Sequence, residues 1–259
     1  MAKVIELKGV SWRRGDKMIL QNIDWAVEEG QHWAVLGLNG SGKTSILNMI
    51  NGYMWPTSGE VSVLGHKFGT IDLRELRKSI GWVSSSLQEK IRPNEQALDI
   101  VVSGRHASIG LYAEMQTADR ERAEELMRDL GCGHLLGRMY QTCSQGEKQK
   151  LLIARALMAS PKLLILDEAS NGLDFISREA LLRSIDALAA KPDAPTLLLV
   201  THHAEEISPV FSHSLLIRRG RVFARGASGE VLTNEHLSDF FEMPVQVDWR
   251  GGRAWLSVR

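Results

Sequence analysis

Residues 37–44 read Gly37-Leu38-Asn39-Gly40-Ser41-Gly42-Lys43-Thr44. The stretch is a G-x-x-x-x-G-K-[ST] phosphate-binding loop. Its glycines let backbone N–H groups turn inward around an anion. Lys43 brings a cation to the β/γ-phosphates, and Thr44 offers a hydroxyl to Mg²⁺. Four fixed positions match by chance in only ~1% of chains this long, so the spacing is informative. The flanks agree with it. His32-Trp33-Ala34-Val35-Leu36 is an apolar run able to form a buried strand, and Ser45 to Asn51 is a short helix that stops at Gly52. Strand, glycine loop and helix together aim a helix N-terminus at phosphate.

The bulk composition narrows the partners. The chain has 259 residues, enough for one large α/β domain or two small ones. A hydrophobic content of 44% supplies a full core, while 31 basic and 31 acidic residues cancel. A neutral chain lacks the basic footprint of a nucleic-acid binder, which argues against DNA or RNA as the main partner. Cys132 and Cys143 offer neither zinc spacing nor a disulfide framework. Met1 to Glu6 shows no signal-peptide stretch, and no run approaches the ~20 apolar residues that span a bilayer. The expectation is a cytoplasmic protein whose membrane role would come through a partner.

Around the loop, Val4 to Gly9 and Ile19 to Val27 alternate in the strand manner, with a turn at Gly15-Asp16-Lys17. Val61 to Gly65 reads as another strand, and Ile80-Gly81-Trp82-Val83 follows it, so an antiparallel β layer is expected around the phosphate loop. From Gln88 to Gln141 the texture is helical. Thr117 is placed to cap a helix that runs to Leu130 and stops at Gly131. Glu147 to Ala159 forms a further helix before Ser160-Pro161. Leu163 to Leu166 and Thr196 to Val200 are uninterrupted apolar runs, as in parallel strands buried on both faces. A helix over Arg178 to Ala190 lies between them, and Leu215 to Arg225 predicts a hairpin through Arg219-Gly220.

Leu166-Asp167-Glu168 ends the most apolar strand. An Asp at the carboxyl end of such a strand can hold the Mg²⁺ that bridges nucleotide phosphates. Mg²⁺ commonly takes one or two protein carboxylates, with water and phosphate completing its shell. Glu168 points elsewhere and can polarise an attacking water as a general base. Ser144-Gln145-Gly146-Glu147 is an S-x-x-E capping box opening a helix, and a helix N-terminus is an anion site.

These motifs, in this order, resemble those of an ATP-binding cassette (ABC) subunit over nearly the whole chain. The resemblance implies a P-loop NTPase with a RecA-like mixed sheet, an antiparallel β layer and a helical subdomain. The nucleotide core would take residues 1–87 and 145–240, the helical subdomain 88–144 and a tail 241–259. Gly37 to Thr44 and Ser45 would bind ATP, Thr44 and Asp167 would hold Mg²⁺, and Lys43, Glu168 and His202 would serve catalysis. Cys143-Ser144-Gln145-Gly146-Glu147 occupies the place of the family signature, Leu-Ser-Gly-Gly-Gln. It keeps Ser144 and Gly146, which by resemblance contact the γ-phosphate held by a second copy. Ser170 to Asp174 matches the D-loop, and Val200-Thr201-His202-His203 carries the switch histidine, with His203 a bystander where the family usually has Asp. The implied partners are a second copy of the chain and separate membrane permease subunits, at the inner face of the cell membrane. A soluble ABC ATPase acting on a ribosome or DNA is the alternative.

Three departures accompany the match. Arg14 stands where an adenine-stacking aromatic is usual. Its guanidinium can stack on a base, and Trp12, two residues back on the same strand face, is the other candidate unless it is plain core. Ser85 occupies the place of the Q-loop glutamine, which by resemblance contacts Mg²⁺ and serves coupling, and is too short to replace it in both; Ser85 or Gln88 is the candidate metal contact, Gln88 swings in, water substitutes, or coupling is altered. The signature begins with Cys143, read as a small packing residue, and ends with Glu147. The stretch from Glu230 through Trp249 and Trp255 resembles the tails of metal-chelate importer ATPases.

Overall fold

The computed structural model describes residues 2–106 and 115–259; part of the helical stretch expected over 88–144 therefore lies outside the described residues. The chain opens with β1 (Lys3–Arg14), β2 (Lys17–Glu28), β3 (Trp33–Gly37), α1 (Lys43–Ile50), β4 (Ser58–Val63), β5 (His66–Lys67) and α2 (Leu73–Lys78). It continues through β6 (Ile80–Val83), α3 (Ser85–Gln88), α4 (Ala97–Ser103), α5 (Thr117–Asp129), α6 (Gln145–Leu157), β7 (Leu163–Asp167) and α7 (Phe175–Ala189). The last elements are β8 (Thr196–Thr201), β9 (His213–Arg218), β10 (Arg221–Ala227), α8 (Ser228–Val231), α9 (Asn234–Phe241), β11 (Val245–Arg250) and β12 (Arg253–Val258). They form two compact units, one of Met1–Arg77 with Thr196–Arg259 and one of Lys78–Pro195.

The first unit holds three sets of strands. β2-β1-β4-β5 is an antiparallel layer, as the alternation predicts. β3 pairs parallel with both β8 and β9, and β10 returns antiparallel on β9. That return passes through Arg219 and Gly220, both with positive φ, the two-residue turn that suits the right-handed twist of a hairpin. β3 and β8 are buried along their whole length, which explains their unbroken apolar sequences. β11 and β12 form a separate hairpin at the C-terminus.

In the second unit β6 pairs parallel with β7, Val83 opposite Leu166. This corrects the expected place of Ile80–Val83: the strand does not join the antiparallel layer. Its Ile80, Gly81 and Val83 are all buried, as a strand covered on both faces requires, and Gly81 leaves no free space for a side chain beside Leu164. α4, α5 and α6 pack on one another through Val101, Ala123, Met127, Leu151 and Leu152. Thr117 is the first helical residue of α5 rather than its cap, a place taken by Gln116. Among the described residues no helix is long and apolar enough to cross a membrane.

The contact of α4 with α6 is set by Gly104. A Cβ there would lie 1.9 Å from the Arg155 carbonyl oxygen. Overpacking of this kind costs about 1–3 kcal/mol or more. Gly104→Ala is therefore expected to lower the melting temperature by about 2 °C or more; an unchanged thermal midpoint in differential scanning calorimetry would show that the helices do not meet this closely.

Candidate nucleotide-binding and hydrolysis site

In the first unit β3 delivers the phosphate loop. Leu36 pairs with Thr201 and Gly37 with Ile217, so the loop leaves the same sheet edge as His202. Gly37 has no room for a side chain, since a Cβ would stand 2.5 Å from Ser41 Oγ and 2.8 Å from the Ile217 oxygen. Gly40 and Gly42 have φ of 75° and 109°, which an L side chain rarely adopts. The Lys43 ammonium folds back to donate to the carbonyls of Gly37 at 2.7 Å and Leu38 at 3.3 Å.

This cradle fits an anion on two observations. α1 has Gly42 at its N-cap with no side-chain cap and no acidic residue in its first turn, so its leading N–H groups are left to an outside acceptor. Ser41 Oγ is buried with no hydrogen-bond partner among the described residues. Thr44 is exposed, its hydroxyl reachable from solvent, and Ser45 follows on the first turn of α1.

Trp12 pairs with Leu20 across β1 and β2, and Leu20 Cδ2 is what a Cβ on Gly42 would strike, at 2.6 Å. Trp12 thus belongs to the strand pair that backs the loop. Arg14 is exposed at the end of β1.

His202 follows β8, its ring 4.0 Å from that of His203 between centroids. Thr201 Oγ1 donates to the buried Glu206 carboxylate at 2.6 Å and accepts the His203 N–H at 3.0 Å. His203 faces Glu205 at 3.5 Å.

The second unit carries the carboxylates. Asp167 closes β7, and the register with β6 sets Ser84 alongside it and Ser85 at the start of α3. Glu168 has φ of 51°, a left-handed backbone that costs a non-glycine residue about 1–3 kcal/mol. Such strain persists where the surroundings impose it.

Gln88 is engaged elsewhere. Its amide exchanges hydrogen bonds with Gln145 at 3.0 and 3.1 Å and accepts one from Gln149 at 2.9 Å. Ser85 makes no such clasp among the bonds of the described residues. Gln145 and Gln149 were not singled out from the sequence. Their i,i+4 spacing on one helix face was the available signal.

Ser144 caps α6 with a complete capping box: its Oγ accepts the Glu147 N–H at 3.3 Å, and Glu147 accepts the Ser144 N–H at 2.7 Å. His134 Nε2 lies 2.9 Å from the same carboxylate, and Arg138 approaches to 3.7 Å. Burial works against the charged Glu147, but the His134 and Ser144 hydrogen bonds outweigh it and hold the carboxyl below its ordinary value of 4.5. Gly146 approaches α7 closely, where a Cβ would lie 3.1 Å from Ser177 Cβ. Asp174 caps α7, taking the Ser177 N–H at 2.8 Å and its hydroxyl at 3.0 Å, and these bonds lower its carboxyl pKa. Cys143 is buried against the Met139 carbonyl.

A phosphate loop on a parallel strand, an Asp-Glu strand end and a capped signature helix define a nucleoside-triphosphate-binding α/β protein. Comparison with known proteins makes this definite. The family model described as ABC transporter matches residues 20–171. An uncharacterised ABC transporter ATP-binding protein of Bacillus subtilis strain 168, YlmA, is 52% identical over 98% of this chain and 97% of its own. A solved inward-facing structure of a putative metal-chelate type ABC transporter superposes with a TM-score of 0.79 at 26% identity, covering 98% of this chain and 96% of that one. An ATP-binding cassette solved as a dimer in a post-hydrolysis state with ADP and Pi superposes with a TM-score of 0.73 at 25% identity, over 86% of this chain and 98% of that one. The chain belongs to the ABC transporter family and is an ATP-binding ATPase subunit with the ABC cassette fold.

Two substitutions test the site's parts. Lys43→Ala removes the only cation the loop offers to phosphate oxygens, a loss of about 2–4 kcal/mol. ATP affinity by calorimetry should fall about thirtyfold or more, and retained tight binding would refute the loop's role. Glu147→Ala dismantles the cap, worth about 1 kcal/mol or 2–4 °C of melting temperature near neutral pH. A carboxyl depressed in the folded state stabilises fully above its unfolded pKa and loses that effect as pH falls through the folded value. The gap between wild type and Glu147→Ala should therefore narrow as pH falls below the ordinary value of 4.5 and close once it passes the lower folded value.

Proposed function

We propose that the protein powers a transporter as its ATP-hydrolysing subunit, two copies closing around two MgATP and driving separate membrane-spanning subunits from the inner face of the cell membrane. The observation that carries ATP binding is the uncapped N-terminus of α1, with Ser41 Oγ unpartnered inside it and the Lys43 ammonium resting on the loop's own carbonyls. Gly37 to Ser45 wrap the phosphates, Thr44 and Asp167 hold Mg²⁺, and Trp12 or Arg14 meets the base. The metal, when bound, neutralises charge on the β- and γ-oxygens.

Glu168 takes the proton of the water that attacks the γ-phosphorus, Lys43 faces the charge that develops there, and His202 donates to a γ-oxygen. The second copy supplies Ser144 and Gly146 to the same phosphate. Gln88, clasped by Gln145 and Gln149, acts as a link from the loop after β6 to the signature helix rather than as a metal ligand. Ser85 is left to contact the metal through water. The cassette dimer solved with ADP and Pi supports the pairing. The likeness to a transporter described as metal-chelate type spans the tail as well as the core, and it supports membrane subunits of that type as partners.

Glu168→Gln should abolish ATP turnover yet give an ATP-dependent dimer on size exclusion; a monomer at saturating ATP would count against the sandwich. Affinity purification from cells should recover the chain with integral membrane proteins. Recovery with ribosomes instead would favour the soluble alternative, which the serine at position 85 keeps in play.

A further inference from the structure

We propose that the C-terminal hairpin positions the loop that bears His202, with Arg253 as the positioning residue. The proposal deepens the reading of His202 as a γ-phosphate contact and rests on it.

The loop after β8 is a single 3-10 turn, Ala204–Glu206. Such turns have poor hydrogen-bond geometry and hold their shape through what packs on them. On its inner side the turn is fixed by Glu206, only 2% exposed, whose carboxylate takes the Thr201 hydroxyl. Thr201 in turn accepts the His203 N–H, so the residues on either side of His202 are tied to one buried carboxylate.

The outer side is held by the hairpin. β12 packs along the turn, and Arg253 Nε donates to the Glu205 carbonyl at 2.5 Å. A carbonyl at the end of so short a turn has no helical partner, and a guanidinium supplies a charge-assisted one. The Arg253 guanidinium is itself steadied 5.6 Å above the Trp255 ring. Gly252, with φ of 74°, lets the chain pass Pro209 where a Cβ would lie 2.6 Å from its Cγ.

The hairpin is anchored independently of the turn. Val247 N–H donates to Asn234 Oδ1 at 2.7 Å and Val245 N–H to Ser238 Oγ at 2.9 Å, which fixes β11 on α9. The hairpin is thus a rigid brace rather than a trailing strand pair. It touches the histidine loop at the Glu205 carbonyl. Loosening it should lower turnover without weakening nucleotide binding.

The full-length protein carrying Arg253→Ala is compared with wild type by hydrogen exchange and ATPase kinetics. Amides of residues 201–207 should exchange about tenfold faster, kcat should fall about fivefold or more, and KM for ATP should stay within about twofold. Arg253→Lys, which keeps a charged donor, should recover most of the loss. Arg253→Gln carries the same comparison if Arg253→Ala fails to fold. In a His202→Ala background the Arg253 substitution should have little further effect on kcat, because both act through one residue. The proposal is overturned by unchanged exchange at 201–207, or by an equal proportional loss of kcat in both backgrounds. If His202→Ala itself leaves kcat intact, the catalytic reading of His202 fails, and the exchange measurement alone decides whether the brace exists.

Discussion

The phosphate loop keeps its shape because Gly220 holds it from behind. The Gly220 N–H donates to the Ser41 carbonyl at 2.9 Å, and the Gly220 carbonyl accepts the Gln21 N–H at 2.8 Å. A Cβ on Gly220 would fall 2.1 Å from the Ile19 oxygen, so only glycine permits the contact. One residue in the turn between β9 and β10 thereby ties the loop to the antiparallel layer. The Ser41 carbonyl is satisfied within the chain. Preorganisation of this kind matters for phosphate chemistry, where the protein's contribution is mostly positioning and electrostatics.

The parts of this arrangement that were legible in the sequence are those with a strong local cause. The phosphate loop, the buried strands β3, β7 and β8, the capping box at Ser144 and the Arg219-Gly220 hairpin each follow from a few neighbouring residues. Ile80–Val83 was legible as a strand but not as to its sheet. Its partner β7 lies far along the chain, and an apolar run does not name its neighbour. Thr117 looked like a cap because threonine caps often, yet Gln116 already has the extended backbone that the position needs. The clasp of Gln88 by Gln145 and Gln149 and the brace of Arg253 on Glu205 were hidden for the same reason, since both join segments distant in sequence.

α6 gathers several of these long-range ties at its first turn. Glu147 closes the cap and takes His134, Gln145 and Gln149 hold Gln88, and Gly146 meets Ser177 above the Asp174 cap of α7. The Ser170 to Asp174 loop and the signature are therefore mechanically linked within one chain. A displacement of α6 along its axis would break the Gln88 amide pair or press Gly146 onto Ser177.

The cap also decides which N–H groups stay open at the tip of α6. The first four N–H groups of a helix have no partner four residues back. In α6 the Glu147 N–H is taken by Ser144 Oγ, and the Ser144 N–H is taken by the Glu147 carboxylate. The N–H groups of Gln145 and Gly146 are the two that the box does not use. Gly146 adds no side chain to screen its own N–H, and one there would press on Ser177. Gln145 has its side chain drawn aside to Gln88, which clears the same helix tip. The glutamine that stands where the family signature has its first glycine therefore has a partner of its own within the chain.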